Sequence, residues 1–168
     1  MQKRIIDPSI SGMLESLKEF NLGDIIRIKD AGLPIASFIL ATRLIDHLSR
    51  IRYYKYALND AERFERFIND FFPHEYKGLG RNLYIYLRST LVHNYSVKGK
   101  FYLEYQPSDR HLNLGSDGRT YLNIHNFVRD LAGSFSIFEQ ILLNDAGDAR
   151  ENAIAHNKEY PILSHKTI

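Results

Sequence analysis

Apolar side chains recur along this chain at the three- and four-residue intervals of a helix face, with short polar breaks between the runs. Ile10, Met13, Leu14, Leu17 and Phe20 form the first stripe. Asp7-Pro8-Ser9 ahead of it suits a helix entry, because proline is tolerated in the first turn. Gly23 is the expected stop. The next stretch, Asp24 to Ala31, fits either a short helix or an extended piece, since Ile25, Ile26 and Ile28 satisfy both patterns. Residues Pro34 to Tyr54 predict the first long helix, with Leu40, Leu44, Leu48 and Ile51 on one face and Ala41 and Ile45 widening it. Asp46 and Arg50, four apart, make a favourable helical pair. Asn59 or Asp60 is the expected cap of a helix bearing Phe64, Phe67, Ile68 and Phe71, which ends before Pro73. Another long helix is expected over about Tyr76 to Tyr95, with Leu83, Leu87 and Leu91 buried and Gly78-Leu79-Gly80 delaying its start.

The period then changes. Phe101 to Tyr105, His111 to Leu114 and Thr120 to Leu122 read as short strands, separated by turn chemistry at Pro107-Ser108-Asp109 and Gly115-Ser116-Asp117-Gly118. A small β-hairpin or meander, at about residues 100–122, is the expectation. Asn123 or His125 opens the last long helix, whose core face is Ile124, Phe127, Val128, Leu131, Phe135, Phe138 and Leu142; Gly147 is its expected end. The chain therefore reads as one mainly α domain over residues 1–146, followed by a weakly periodic tail, 147–168.

Bulk composition narrows the class. The 168 residues are 44% hydrophobic and 25% charged, which suits a single globular domain able to bury a core without staples. Cysteine is absent, which excludes disulfides and thiolate metal sites. A net charge of +2 does not by itself mark a nucleic-acid binder. The first residues lack the apolar core of a signal peptide, and no apolar run reaches the roughly 18 residues of a membrane span. A cytoplasmic protein without membrane contact is expected. Eleven Tyr and ten Phe are read chiefly as core, because the Phe residues fall at helical spacing.

The segment with chemical character is Arg88-Ser89-Thr90-Leu91-Val92-His93. On an α-helix, residues five apart diverge by about 140°, whereas Ser89 and His93, four apart, share a face. A second copy of the helix about a two-fold axis brings two Arg and two His to one cleft. Histidine exchanges protons near neutral pH, and arginine matches phosphate oxygens with a bidentate fork. Together they suit attack of an RNA 2′-hydroxyl on the adjacent phosphate, with no metal or other cofactor required. The bland alternative is a surface arginine beside a structural histidine.

The run Leu83-Tyr84-Ile85-Tyr86-Leu87-Arg88-Ser89-Thr90-Leu91-Val92-His93-Asn94-Tyr95 resembles the signature helix of the HEPN superfamily, in which Arg is followed after four to six residues by His. The preceding pattern is similar too: a long helix ending Leu44-Ile45-Asp46-His47-Leu48-Ser49-Arg50, then the Phe-rich stretch Glu62 to Phe72. The resemblance spans about Pro34 to Leu143. It implies an up-and-down helical bundle that dimerises through the motif helices. It also implies a metal-independent RNase of toxin–antitoxin, defence or RNA-processing type, or an inactive relative that binds a partner protein or a nucleotide. Arg88 and His93 would be the catalytic pair, with Ser89, Asn94 and Tyr95 toward substrate. RNA, a second copy of the chain and an antitoxin are the partners so implied. Ser89 departs from the Asn, Asp or His common after the motif arginine, and it cannot act as an acid or base at neutral pH. An unrelated helical domain remains the third reading.

The other histidines are His47, His74, His111, His125, His156 and His165, and none forms a paired helical metal motif. Gly78-Leu79-Gly80-Arg81 lacks the length and lysine of a phosphate-binding loop. Arg43, Arg50, Arg52 and Lys55 read either as a solvated face or as a basic strip leading to the site. Asp46 and His47 are expected near the motif helix if the first long helix packs beside it.

Overall fold

A computed structural model describes residues 8–144 and 147–162. Asp7 and His165 lie outside the described residues. Helix α1 (Pro8–Ser16) continues through a wider π-helical segment, Leu17–Leu22, into α2 (Gly23–Asp30). Gly23 is therefore not a stop. It takes ordinary helical angles, φ −60° and ψ −41°, and its amide still bonds back to Lys18 and Phe20. The break comes at Gly32, whose φ of +75° favours glycine.

Helix α3 (Pro34–Arg52) is the centre of the fold and packs against α2 and four elements that follow it in the chain. Leu44, Ile45, Leu48 and Ile51 are buried as the stripe predicts, but Leu40 is largely exposed and Phe38 takes the core position instead. Helix α4 (Asp60–Phe71) begins with a capping box: Asn59 accepts from the Glu62 amide and Glu62 accepts from the Asn59 amide. A 3₁₀ turn (His74–Tyr76) leads to the motif helix, made of α5 (Gly80–Asn82), a π-helical segment (Leu83–Leu91) and α6 (Val92–Asn94). Helix α7 (Ile124–Leu143) starts where Asn123 accepts from the amides of His125 and Asn126. Phe67, Phe71 and Phe138 join α4 to α7, with Phe67 and Phe71 stacked at 4.5 Å and Phe138 edge-on to both.

Two further expectations are corrected. The insertion is not a simple hairpin. Strands β1 (Phe101–Glu104) and β2 (Thr120–Asn123) pair in parallel, Phe101 opposite Thr120 and Glu104 opposite Asn123. The Gly115 to Gly118 reversal is present, and Leu114 bridges Thr120 antiparallel. However, residues 109–112 form turns, with Leu112 left-handed at φ +64°, so His111 to Leu114 does not extend as a strand. The chain thus returns to the far side of its own turn, and β2 meets β1 in the parallel sense.

The segment expected to be a tail contains α8 (Ala149–Glu159), docked on α1, α3 and α7. Ala149, Asn152, Ala153 and His156 are buried at helical spacing. Small and polar residues face inward here, which is why apolar periodicity missed the helix. Among the described helices, none is long and apolar enough to cross a membrane.

Candidate functional site

The motif helix reaches its position because of a glycine. A β-carbon on Gly80 would lie 2.8 Å from the Glu65 α-carbon, so only glycine lets the helix start pass this close to α4. Beyond it, Leu83, Leu87, Thr90 and Leu91 are buried, and the segment packs against α3 and α4. The π-helical winding is visible in the side chains: the Thr90 hydroxyl donates to the carbonyl of Ile85, five residues back, at 2.8 Å.

The 140° divergence expected for Arg88 and His93 assumes α-helical winding throughout, and part of the motif helix is π-helical. Where the backbone bonds five residues back, residues five apart become neighbours along a face. Arg88 lies in the wide segment and His93 in α6 just beyond it. No hydrogen bond joins them among the described residues. Arg88 instead turns onto α3, where Nε and Nη2 donate to Oδ2 of Asp46 at 3.1 and 2.8 Å. The Tyr84 ring lies 5.4 Å from its guanidinium carbon.

Asp46 is the anchor of the site. Its side chain is only 4% exposed, and three guanidiniums surround it: Arg88, Arg43 at 3.5 Å and Arg50 at 3.7 Å. Its Oδ1 has no hydrogen-bond partner. Three positive charges around one carboxylate leave an excess of positive charge in this part of the surface. Arg88 Nη1 makes no hydrogen bond among the described residues, so Asp46 fixes one edge of the fork and leaves the other available. His93 is exposed on the last turn of the motif helix. Ser89 is half-buried, Asn94 is exposed, and Tyr95 is 79% exposed in a left-handed conformation that ends the helix.

The basic strip expected along α3 is mostly paired. Arg52 bonds Asp148 at 3.0 Å, Lys55 meets Glu151 at 3.3 Å, and Arg50 also binds Asp60 at 2.8 Å. His47 and Arg50 carry the network to a second cleft of about 390 Å³, completed by Tyr54, Arg63, His156 and Tyr160. The His47 and His156 rings meet edge-on at 5.3 Å, and Tyr54 approaches His156 at 5.4 Å. Burial lowers the pKa of His47 against the opposing pull of Asp46, and Arg50 and Arg43 add to the lowering. Burial, then His47 and Arg50, bring His156 down to about 4. Both imidazoles are neutral at physiological pH. Sequence reasoning missed this cleft because His156 and Tyr160, from α8 and its C-terminal end, close it.

A larger cleft, about 650 Å³, lies between the insertion and α7. Its floor is a closed hydrogen-bond chain. The Asn123 amide donates to His111 Nδ1 at 3.0 Å, which places the imidazole proton on Nε2, 2.8 Å from the Tyr76 hydroxyl. That hydroxyl donates to Asp130 at 3.0 Å. Burial opposes ionisation of Asp130, but hydrogen bonds from His111, Arg129 and Tyr76 hold its carboxyl below the usual range. Every member of this chain is satisfied, and it fastens the insertion to the core. Among the described residues, no group of three or more acidic or histidine side chains is placed to hold a metal ion. No protein-family model, curated protein or solved structure matches this chain.

Proposed function

We propose that this chain is a HEPN-like endoribonuclease that works as a homodimer, with Arg88 and His93 of both protomers forming one metal-independent site. The observation that carries this reading is the arrangement around Asp46. A buried carboxylate holds Arg88 in place and leaves Nη1 for a phosphate oxygen, while His93 stands exposed on the same helix. Pre-positioned charge of this kind stabilises charge that develops on phosphorus.

In the reaction, one His93 accepts the proton of an RNA 2′-hydroxyl. The 2′-oxygen bonds to phosphorus, the bond to the 5′-oxygen breaks, and the second His93 returns a proton to that oxygen. The products are a 2′,3′-cyclic phosphate and a 5′-hydroxyl. Arg88 neutralises the extra negative charge at the transition state. Ser89 lies beside the pair, and Asn94 and Tyr95 are free to meet a base edge and a base face.

A second reading is favoured by one feature of the same site. Two of the Arg88 nitrogens are already committed to Asp46, and the Ser89 hydroxyl cannot act as an acid or base at neutral pH. A catalytically silent HEPN-like module that binds a partner protein, an antitoxin among them, fits those facts. Incubation with structured and single-stranded RNA in excess EDTA separates the two. Cleavage that survives EDTA and vanishes in His93→Ala supports the nuclease. Equal cleavage by wild type and variant, or none by either, leaves the binding module as the function.

A further inference from the structure

The cleft between α3, α4 and α8 carries a chemistry that the Arg88–His93 pair does not use. Its walls are Arg50 and Arg63, the neutral imidazoles of His47 and His156, and the phenols of Tyr54 and Tyr160. Two polar groups in these walls are orphaned. His156 is 3% exposed and its Nδ1 has no hydrogen-bond partner; Arg63 Nε is likewise buried and unpartnered. Unsatisfied buried polar groups are uncommon in folded proteins and ask for a partner.

Charge indicates the sign of that partner. Arg50 and Arg63 share the one carboxylate of Asp60, at 2.8 and 3.2 Å. Arg43 and Arg88 lean with Arg50 on Asp46. Four guanidiniums therefore face two carboxylates. Glu159 accepts from the Tyr54 hydroxyl and stays charged, which still leaves one guanidinium in excess over the three carboxylates. A volume of about 390 Å³ lies within the range that holds small ligands, roughly 300–1,000 Å³.

We infer that this cleft binds a phosphate monoester, with the phosphate on Arg50, Arg63 and His156 and the esterified group against Tyr54 and Tyr160. Guanidinium forks and imidazole N–H groups match the three terminal oxygens of such a group. The aromatic rim supplies a face for a sugar or base at the mouth. The ester is either a free sugar phosphate or the 5′ end of an RNA. The site is separate from the proposed nuclease chemistry and needs no contribution from His93.

The test is a titration of the full chain followed through its histidine ring resonances by NMR. The probes are ribose 5-phosphate, ribose, inorganic phosphate, and a short RNA with either a 5′-phosphate or a 5′-hydroxyl. Ribose 5-phosphate or the 5′-phosphorylated RNA is expected to shift His47 and His156, and ribose is not. Which of the two binds more tightly identifies the source. Arg63→Gln is expected to weaken binding about 10- to 100-fold, from the loss of one charge-assisted interaction. Arg63→Lys retains part of the affinity, and Tyr160→Phe, at an exposed rim position, tests the mouth without touching the core. His93→Ala is expected to bind as wild type does, whatever happens to RNA cleavage. Unmoved His47 and His156 resonances with both esters would overturn the inference. So would inorganic phosphate binding as tightly as either ester, or full affinity in a folded Arg63→Gln.

Discussion

Replacing Asp46 with Asn isolates the electrostatic anchor of the motif helix. The change keeps the shape of the side chain and removes its charge. In the native chain Asp46 Oδ2 accepts from both Nε and Nη2 of Arg88, whose side chain is 14% exposed. Removing one member of a buried ion pair costs about 3–5 kcal/mol, because the other charge is left uncompensated. Arg43 and Arg50 are 54% and 41% exposed and relax into water, which brings the cost to the lower end of that range or just under it. The expected loss is ~2–3 kcal/mol. For a chain of this size that lowers the melting temperature by about 4–12 °C, at about 2–4 °C per kcal/mol. Urea unfolding followed by helical circular dichroism reads it as a shift in midpoint at constant slope. The double variant Asp46→Asn, Arg88→Met is expected to lose less than the sum of the singles, because it removes both charges together. A cost for Asp46→Asn under about 0.5 kcal/mol, or strict additivity in the double variant, would refute a buried anchor at this position.

Three further outcomes follow from local geometry. Between pH 6.5 and about 4 the unfolded chain binds a proton at His156 that the folded chain refuses, so stability is full above this window and falls as pH drops through it. The loss reaches ~3 kcal/mol, and unfolding midpoints from pH 7 to 4 in wild type and His156→Gln check it: an equal slope in both removes His156 as the cause. Gly80→Ala drives a β-carbon into the α4 backbone at Glu65 and is expected to cost about 1–3 kcal/mol, whereas Gly133→Ala, in open space on α7, gains about 0.5–1 kcal/mol; thermal melts that rank the two the other way contradict the close approach. Asn59→Ala removes half of a capping box and is expected to cost ~1 kcal/mol, measured by urea unfolding, while Asn82→Ala, exposed at the start of the motif helix, is neutral.

The parts of the fold that are legible in the sequence are those where packing alone decides. The Phe64, Phe67, Ile68 and Phe71 stripe marks α4 and its Asn59 cap, and the Leu83, Leu87 and Leu91 stripe marks the motif helix. The parts that are not legible depend on partners distant in the chain. Helix α8 is held by Ala149, Asn152, Ala153 and His156, residues whose burial depends on α1, α3 and α7 rather than on their own hydrophobicity. The parallel pairing of β1 with β2 depends on a left-handed Leu112, a conformation that a leucine does not advertise. The π-helical winding of the motif helix is equally silent. For the site, the sequence placed Arg88 and His93 on one helix and Asp46 near it. The neutral pair His47 and His156 is 109 positions apart in the chain, and only the docked α8 brings it together.

The proposed metal-independent cleavage of RNA by Arg88 and His93 is read from the ends of the products. A defined RNA, incubated with purified protein in excess EDTA and resolved by mass spectrometry, is expected to yield 2′,3′-cyclic phosphate and 5′-hydroxyl ends with wild type and none with His93→Ala. Fragments bearing 3′-hydroxyl and 5′-phosphate ends, or cyclic ends that persist undiminished in His93→Ala, would contradict it.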